Sequence, residues 1–162
     1  MTTIDNILSQ KCSNKYGFIY LLDNEERNYK GRCVYKSGCV EAVDRTTYDR
    51  LNEHNCRKKS TDTICPWEPV LVWKVPQPVE EKEKWLFEIL DNNKNIERRS
   101  WPSGKKSEQF MGKTTDINLV DIFRLTMKFI GELIYDKHDI YSNTKNIKIS
   151  MVNPNLTSKR DE

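Results

Sequence analysis

The sequence predicts an α+β fold: a small central three-stranded antiparallel sheet flanked by helices, with one further helix near the C-terminus. Two short tyrosine-bearing segments, Gly17-Phe18-Ile19-Tyr20-Leu21-Leu22 and Asn28-Tyr29-Lys30-Gly31-Arg32-Cys33, flank the polar run Asp23-Asn24-Glu25-Glu26-Arg27, the pattern of an antiparallel hairpin. Val70-Leu71-Val72-Trp73-Lys74-Val75 is almost continuously apolar, which suits a central strand covered on both faces. Two later segments carry apolar residues at helical spacing.

Residues 1–15 are polar and read as a peripheral N-terminal segment. The hairpin spans about residues 16–34. Val40 through Asn55 reads as a helix with a weak apolar side made by Val40, Ala42, Val43 and Leu51. Arg57-Lys58-Lys59-Ser60-Thr61-Asp62 is a basic, polar loop. Pro66 and Pro69 stop any helix before the central strand, and Pro76 and Pro78 end that strand. A helix follows from Val79 to about Leu90; a proline ahead of its first turn, with Glu80, Glu81 and Glu83 behind it, suits a helix N-terminus. Residues 91–109, rich in Asn, Lys, Arg and Ser, read as an exposed loop. A final helix from about Leu119 to Tyr135 is apolar over a wide arc, so it packs on the sheet or on a partner, a second copy of the chain included. In domain terms, residues 16–112 form one domain, 113–136 a helix packed on it, and 137–162 a polar tail read as disordered at its end.

The 162 residues suffice for one domain with a modest core. With 36% hydrophobic and 31% charged residues, the core is economical and the surface heavily charged. A net charge of +3 is too slight to establish nucleic-acid binding, so that case must rest on local clusters. No apolar run approaches the ~18 residues of a membrane span. The N-terminal residues lack the pattern of a signal peptide, and the expected location is cytoplasm or nucleus. The five cysteines contain no close pair; a zinc site from Cys33, Cys39, His54 and Cys56 matches no common finger spacing, and reduced, partly buried thiols are the expectation.

Three groups of residues suggest chemistry. Val79, Glu83, Leu86 and Leu90 fall on one helical stripe, so Glu83 alone carries charge among apolar neighbours. It needs a metal ion, a structural Lys or Arg, or a route for its tip to solvent. Arg50 and His54 are four residues apart on a helix and face the same way. An arginine can hold a phosphate and a histidine beside it can relay a proton, although an exposed pair on a solvated face has the same spacing. Arg45 is the alternative arginine. Basic residues cluster at Arg57-Lys58-Lys59, Arg98-Arg99 and Lys105-Lys106, with Trp101 interleaved and Lys30 and Arg32 adding to them. Such clusters give phosphate contacts that weaken with salt, or remain solvated loop charge.

Taken in order, Phe18-Ile19-Tyr20, Tyr29-Lys30-Gly31, Arg50-Leu51-Asn52-Glu53-His54, the strand from Val70 and Glu83 in Glu83-Lys84-Trp85-Leu86-Phe87 resemble the GIY-YIG nuclease superfamily. Pro66 to Val75 and Ser107-Glu108-Gln109-Phe110 resemble its phage and viral DNA-binding branch; the resemblance covers about residues 16–111. It implies a DNA endonuclease with one Mg²⁺ or Mn²⁺ held by Glu83. Tyr20 or Tyr29 would orient or deprotonate water, Arg50 would stabilise developing charge, and His54 would assist. Asn92, Asn93 and Asn95 are all candidates for the asparagine that often follows in that family. The same layout implies that Arg50, His54 and Glu83 approach one sheet face. A DNA-binding module of this fold without cleavage, and a protein-interaction adaptor, are the alternatives.

Overall fold

In the middle of the chain the apolar pattern leaves no face to solvent. Phe18, Ile19, Tyr20, Leu21 and Leu22 are all 0% exposed, as are Val70, Leu71 and Val72, so both strands lie deep in a sheet covered on both sides. The computed structural model describes residues 3–29, 31–55 and 66–138, with the backbone alone described over 25–29. The elements are α1 (Ile4–Leu8), β1 (Tyr16–Tyr29), β2 (Arg32–Val40), α2 (Thr47–Asn55), β3 (Glu68–Pro76), α3 (Val79–Asp91), β4 (Ile96–Ser100), β5 (Lys106–Gly112), α4 (Leu119–Met127) and β6 (Glu132–Asp136).

The α+β class holds, but six strands replace the expected three, in the order β4-β5-β2-β1-β3-β6, every neighbouring pair antiparallel. β3 is an interior strand between β1 and β6, buried on both faces though one from the edge rather than central, and the helix from Val79 is as the sequence predicts. Four expectations are corrected. The polar run from Asp23 continues as strand rather than loop, and Tyr29 pairs with Arg32. Gly31 has φ +79°, the left-handed conformation a two-residue hairpin turn requires. The second arm therefore extends to Val40, and the helix predicted from Val40 begins only at Thr47.

The predicted loop 91–109 contains β4 and most of β5. Its charge suits an edge strand, where charged side chains keep other chains from pairing. Arg98 also has a packing role, with its guanidinium 4.7 Å from the Phe87 ring centroid and 5.2 Å from that of Phe110. The last predicted helix ends at Met127, eight residues early, and β6 takes the rest of its apolar run. A Cβ on Gly131 would stand 2.5 Å from the Lys74 carbonyl oxygen, so the chain there passes against β3 in a way only glycine permits. The N-terminal segment is not peripheral: Ile7, Leu8 and Cys12 are buried against Phe18, Tyr20 and Leu22.

Two cores result. On one face Ile19, Leu21, Trp73, Val75 and Phe110 pack beneath α3 and α4. On the other, Phe18, Tyr20, Leu22 and Val72 pack with α1 and Trp67. α4 spends Leu119, Val120, Phe123 and Met127 on the first core and leaves Leu125 exposed. No helix among the described residues is long and apolar enough to cross a membrane.

Candidate active site at the open edge of β2

The site residues are positioned by local features that can be followed one at a time. α2 begins with reciprocal bonds: the Asp49 amide donates to Thr46 Oγ1 and the Thr46 amide to Asp49 Oδ2, both at 3.0 Å. At its other end Asn55 clamps Trp67, its Nδ2 donating to the Trp67 carbonyl and its Oδ1 accepting from the Trp67 amide at 2.8 Å. Fixed at both ends, α2 turns His54 inward, where it is 7% exposed. α3 is fixed against the end of β2, because Glu41 Oε1 accepts from the Glu80 amide and Gln77 Nε2 donates to the Glu41 carbonyl at 2.8 Å. That attachment brings Glu83 to Cys39.

The β2–β5 ladder contains only Tyr35↔Phe110 and Lys36↔Gln109. From Ser37 onward β2 has no described strand partner on that side, and the candidate residues gather along this stretch. Tyr20 pairs across β1 with Gly38. A Cβ on Gly38 would stand 2.5 Å from the Tyr20 hydroxyl, so the phenol lies over a position only glycine can leave clear. The hydroxyl is 2.9 Å from His54 Nε2, and the Arg50 charge acts on it. Burial pushes the phenol above its ordinary range, with Arg50 offsetting a part.

Glu83 approaches from below the sheet, and Arg50 acts on it as well. Burial, with Glu108 adding repulsion, pushes its carboxyl up to about 7. Its Oε2 is buried and has no hydrogen-bond partner among the described residues. The Cys39 thiol is within hydrogen-bonding reach of the same carboxyl, and burial and Glu83 push the thiol strongly upward. Arg50 also pairs with Glu53 at 2.9 Å. Burial works against its charge, but Tyr20 and Glu53 more than offset that, so its proton is held more tightly than usual.

Tyr20, Arg50, His54 and Glu83 thus come together, but not on one sheet face as expected: Tyr20 belongs to one core and the α3 stripe around Glu83 to the other. They lie around the strand edge, with the Arg50 charge acting on both Tyr20 and Glu83. Tyr29 does not join them. It lies nine residues from Tyr20 on the same strand, ~30 Å away at strand rise. Arg45 turns elsewhere, to Glu53 at 2.7 Å and Asp49 at 3.8 Å. Asn92 caps α3, and Asn93 Oδ1 accepts from the Asn95 amide, so these residues shape the α3–β4 turn, ~14 Å or more along the helix from Glu83.

The basic residues divide into internal and exposed groups. Arg32 donates to Glu97 and to the Gly112 and Lys113 carbonyls, Arg98 pairs with Asp91, and Arg99 donates to Gln109. These hold β2, β4 and β5 together. Lys105 and Lys106 are exposed beside Trp101, which is 50% exposed, with Lys106 reaching Asp91 at 3.3 Å. Lys30, Arg57, Lys58 and Lys59 lie outside the described residues, as does Cys56. The zinc reading fails on geometry, since Cys33 and Cys39 are six residues apart on β2, ~20 Å at strand rise. Cys12, Cys33 and Cys39 form no disulfide.

Sequence reasoning missed Gly38, Cys39 and Glu108. Their roles come from strand register and from β5, which the sequence hides in a charged stretch; Ser107-Glu108-Gln109-Phe110 was the available signal. Among the described residues no group of three or more His, Cys, Asp or Glu side chains converges on one point. The Glu83 carboxylate, with the charge of Glu108 acting on it, suits a hard cation such as Mg²⁺ or Mn²⁺; the Cys39 thiol does not. Compared with family models, curated proteins and solved structures, the chain matches none.

Proposed function

We propose that this chain is a divalent-metal-dependent DNA endonuclease of the GIY-YIG type. The observation that carries the reading is the gathering of Tyr20, Arg50, His54 and Glu83 around Gly38, with Tyr20 2.9 Å from His54 and one Glu83 oxygen left without a partner. Strand register also moves the family's second motif. Tyr29-Lys30-Gly31 is remote from Tyr20, and Lys36-Ser37-Gly38, which ends opposite Tyr20, takes its place in this reading.

In the tautomer with its proton on Nδ1, His54 accepts the Tyr20 proton at Nε2. The phenol oxygen then keeps lone pairs for Arg50 and for an attacking water. Because burial raises the phenol, Tyr20 stays protonated at neutral pH and passes a proton to His54 rather than acting as a free phenolate. Arg50 supplies positive charge where the phosphate becomes more negative. Glu83, with Glu108 near it, would hold one Mg²⁺ or Mn²⁺, which would supply Lewis acidity to the scissile phosphate. Lys105 and Lys106 beside Trp101 offer phosphate contacts at the exposed hairpin end.

Purified full chain is expected to nick supercoiled plasmid with Mg²⁺ and not with EDTA, and Glu83→Ala to slow nicking by about 100-fold or more. Nicking that survives Glu83→Ala unchanged would sink the proposal. One observation favours a second reading, a DNA-binding module without cleavage: the Glu83 oxygen is closed to solvent, which leaves a hydrated ion no open approach. Salt-dependent DNA binding without nicking, indifferent to Glu83→Ala, is what that reading expects.

A further inference from the structure

Away from the open edge of β2, at the start of β1, three separate segments build a groove of mixed polar and apolar lining. It has a volume of about 420 Å³ and is walled by Lys15 and Tyr16, by Lys74 on β3, and by Lys128, Phe129 and Glu132 around the end of α4. The Lys74 ammonium lies 4.0 Å above the Tyr16 ring centroid and that of Lys128 5.9 Å from the Phe129 ring. None of the three lysines forms an ion pair with a carboxylate among the described residues. Glu132, opposite Lys74 in the β3–β6 ladder, is the one acid in the groove wall. Phe129 is 85% exposed, more than any other large apolar side chain described.

We propose that this groove binds single-stranded nucleic acid, with a base stacked on Phe129 and the flanking phosphates held by Lys15, Lys74 and Lys128. The argument is charge complementarity joined to ring exposure. Three ammonium groups against one carboxylate leave an excess that suits a polyanion. Tyr16 fixes the Lys74 ammonium at the groove wall through its ring face. An aromatic ring standing out beside lysines is the arrangement that takes an unpaired base, since every base has a π-face to offer. Duplex DNA keeps its bases stacked inside and offers this ring nothing. The groove is separate from Tyr20, Arg50, His54 and Glu83, so the inference does not require that the chain cleaves DNA.

The test is fluorescence anisotropy with a labelled oligo(dT) of about 15 nucleotides, at low salt with EDTA, so that cleavage and metal binding play no part. The unmodified chain is expected to bind, and Phe129→Ala, at a surface position that leaves folding intact, to weaken binding about tenfold. Lys74→Ala or Lys128→Ala is expected to flatten the slope of log affinity against log salt by about 0.7 each. Glu132→Gln is expected to tighten binding. The proposal is overturned if oligo(dT) does not bind, or if binding ignores both Phe129→Ala and Lys128→Ala. It is also overturned if polyglutamate competes as well as oligo(dT), which would mark an acidic protein partner, or if Phe129→Ala converts a dimer to monomer without touching oligo(dT) binding.

Discussion

Asp136 and Glu83 are both acids carried into largely apolar surroundings on the sheet face that α3 and α4 cover, one beside β6 and the other beside β2. Asp136, 6% exposed, is fully engaged: Arg124 grips it through Nε at 2.7 Å and Nη2 at 3.0 Å, and its Oδ1 also accepts from the His138 amide. Asp121 adds a second carboxylate to Arg124. Burial works against the Arg124 charge, but its two acids more than offset that and hold the guanidinium protonated. Glu83 has a guanidinium near it too, yet Arg50 is shared with Tyr20 and Glu53, one carboxyl oxygen has no partner, and the acid is pushed up to about 7. A buried charge persists only where something compensates it. The first cluster is complete as it stands and braces β6 against α4. The second shares its one guanidinium with Tyr20 and Glu53 and is left short of positive charge, which a cation at the proposed site would supply.

The comparison breaks if the two acids respond alike to change. Asp136→Ala is expected to cost about 3 kcal/mol, at the low end for removing one partner of a buried pair because 28% of the Arg124 side chain remains exposed. Urea unfolding measures it, and a loss below about 1 kcal/mol would mean that the pair is not a brace. Glu83 is expected to respond in the opposite sense. Burial pushes its folded-state carboxyl up to about 7 from an ordinary 4.5 in the unfolded chain, so the folded chain holds the extra proton between those values. Stability therefore falls as pH rises through that window, by up to about 3 kcal/mol. Glu83→Gln is expected to remove most of the difference between urea midpoints at pH 5 and pH 8, and added Mg²⁺ at pH 8 to stabilise the unmodified chain more than the variant. A midpoint difference unchanged by Glu83→Gln would show that another group sets it.

How much of this was legible in the sequence depended on whether the signal was local. The β3 run between prolines and the α3 stripe containing Glu83 are complete in themselves, and both stand where the pattern puts them. Arg50 and His54 needed only helical spacing. The hairpin failed because Asp23 and Asn24 are polar yet lie in strand, and Asn24 is 5% exposed, a burial that no window of neighbours reveals. That error placed Tyr29 on the wrong strand and left Gly38 between the predicted hairpin and the predicted helix, outside both. β4 failed because an edge strand tolerates charge, and β5 because it follows directly in the same charged stretch; Arg98 covers aromatic rings rather than solvent. β6 failed because an apolar run of helical appearance also suits a strand, and the close approach at Gly131 decides between them.

Gly38 sharpens the contrast from the side of the open edge. Gly38→Ala places a methyl group 2.5 Å from the Tyr20 hydroxyl and 2.7 Å from the ring carbon bearing it, against a side chain with no free space to move into. Overpacking of this kind costs about 1–3 kcal/mol. It also pushes the phenol away from His54, so nicking should fall by more than the stability loss explains, at protein concentrations and temperatures where the variant is fully folded. Equal activity in the folded variant would show that the Tyr20–His54 contact is a core hydrogen bond and no part of a site.

The smallest effect is expected at Arg45, and it decides which guanidinium belongs to which kind of cluster. Arg45 and Arg50 both pair with Glu53, at 2.7 Å and 2.9 Å, so a surface count of ion pairs treats them alike. Exposed pairs of this sort contribute under about 1 kcal/mol, and Arg45→Ala should change the urea midpoint by no more than that. Only Arg50 also reaches Tyr20 and acts on Glu83. Arg50→Ala should therefore slow nicking by about 100-fold while Arg45→Ala leaves it within about twofold. It should also push the Glu83 carboxyl higher still, widening the pH window over which the folded chain loses stability. The reverse outcome, with Arg45→Ala the inactive variant, would move the site off the open edge of β2, and the unpartnered Glu83 oxygen would then be a defect of packing rather than a place for an ion.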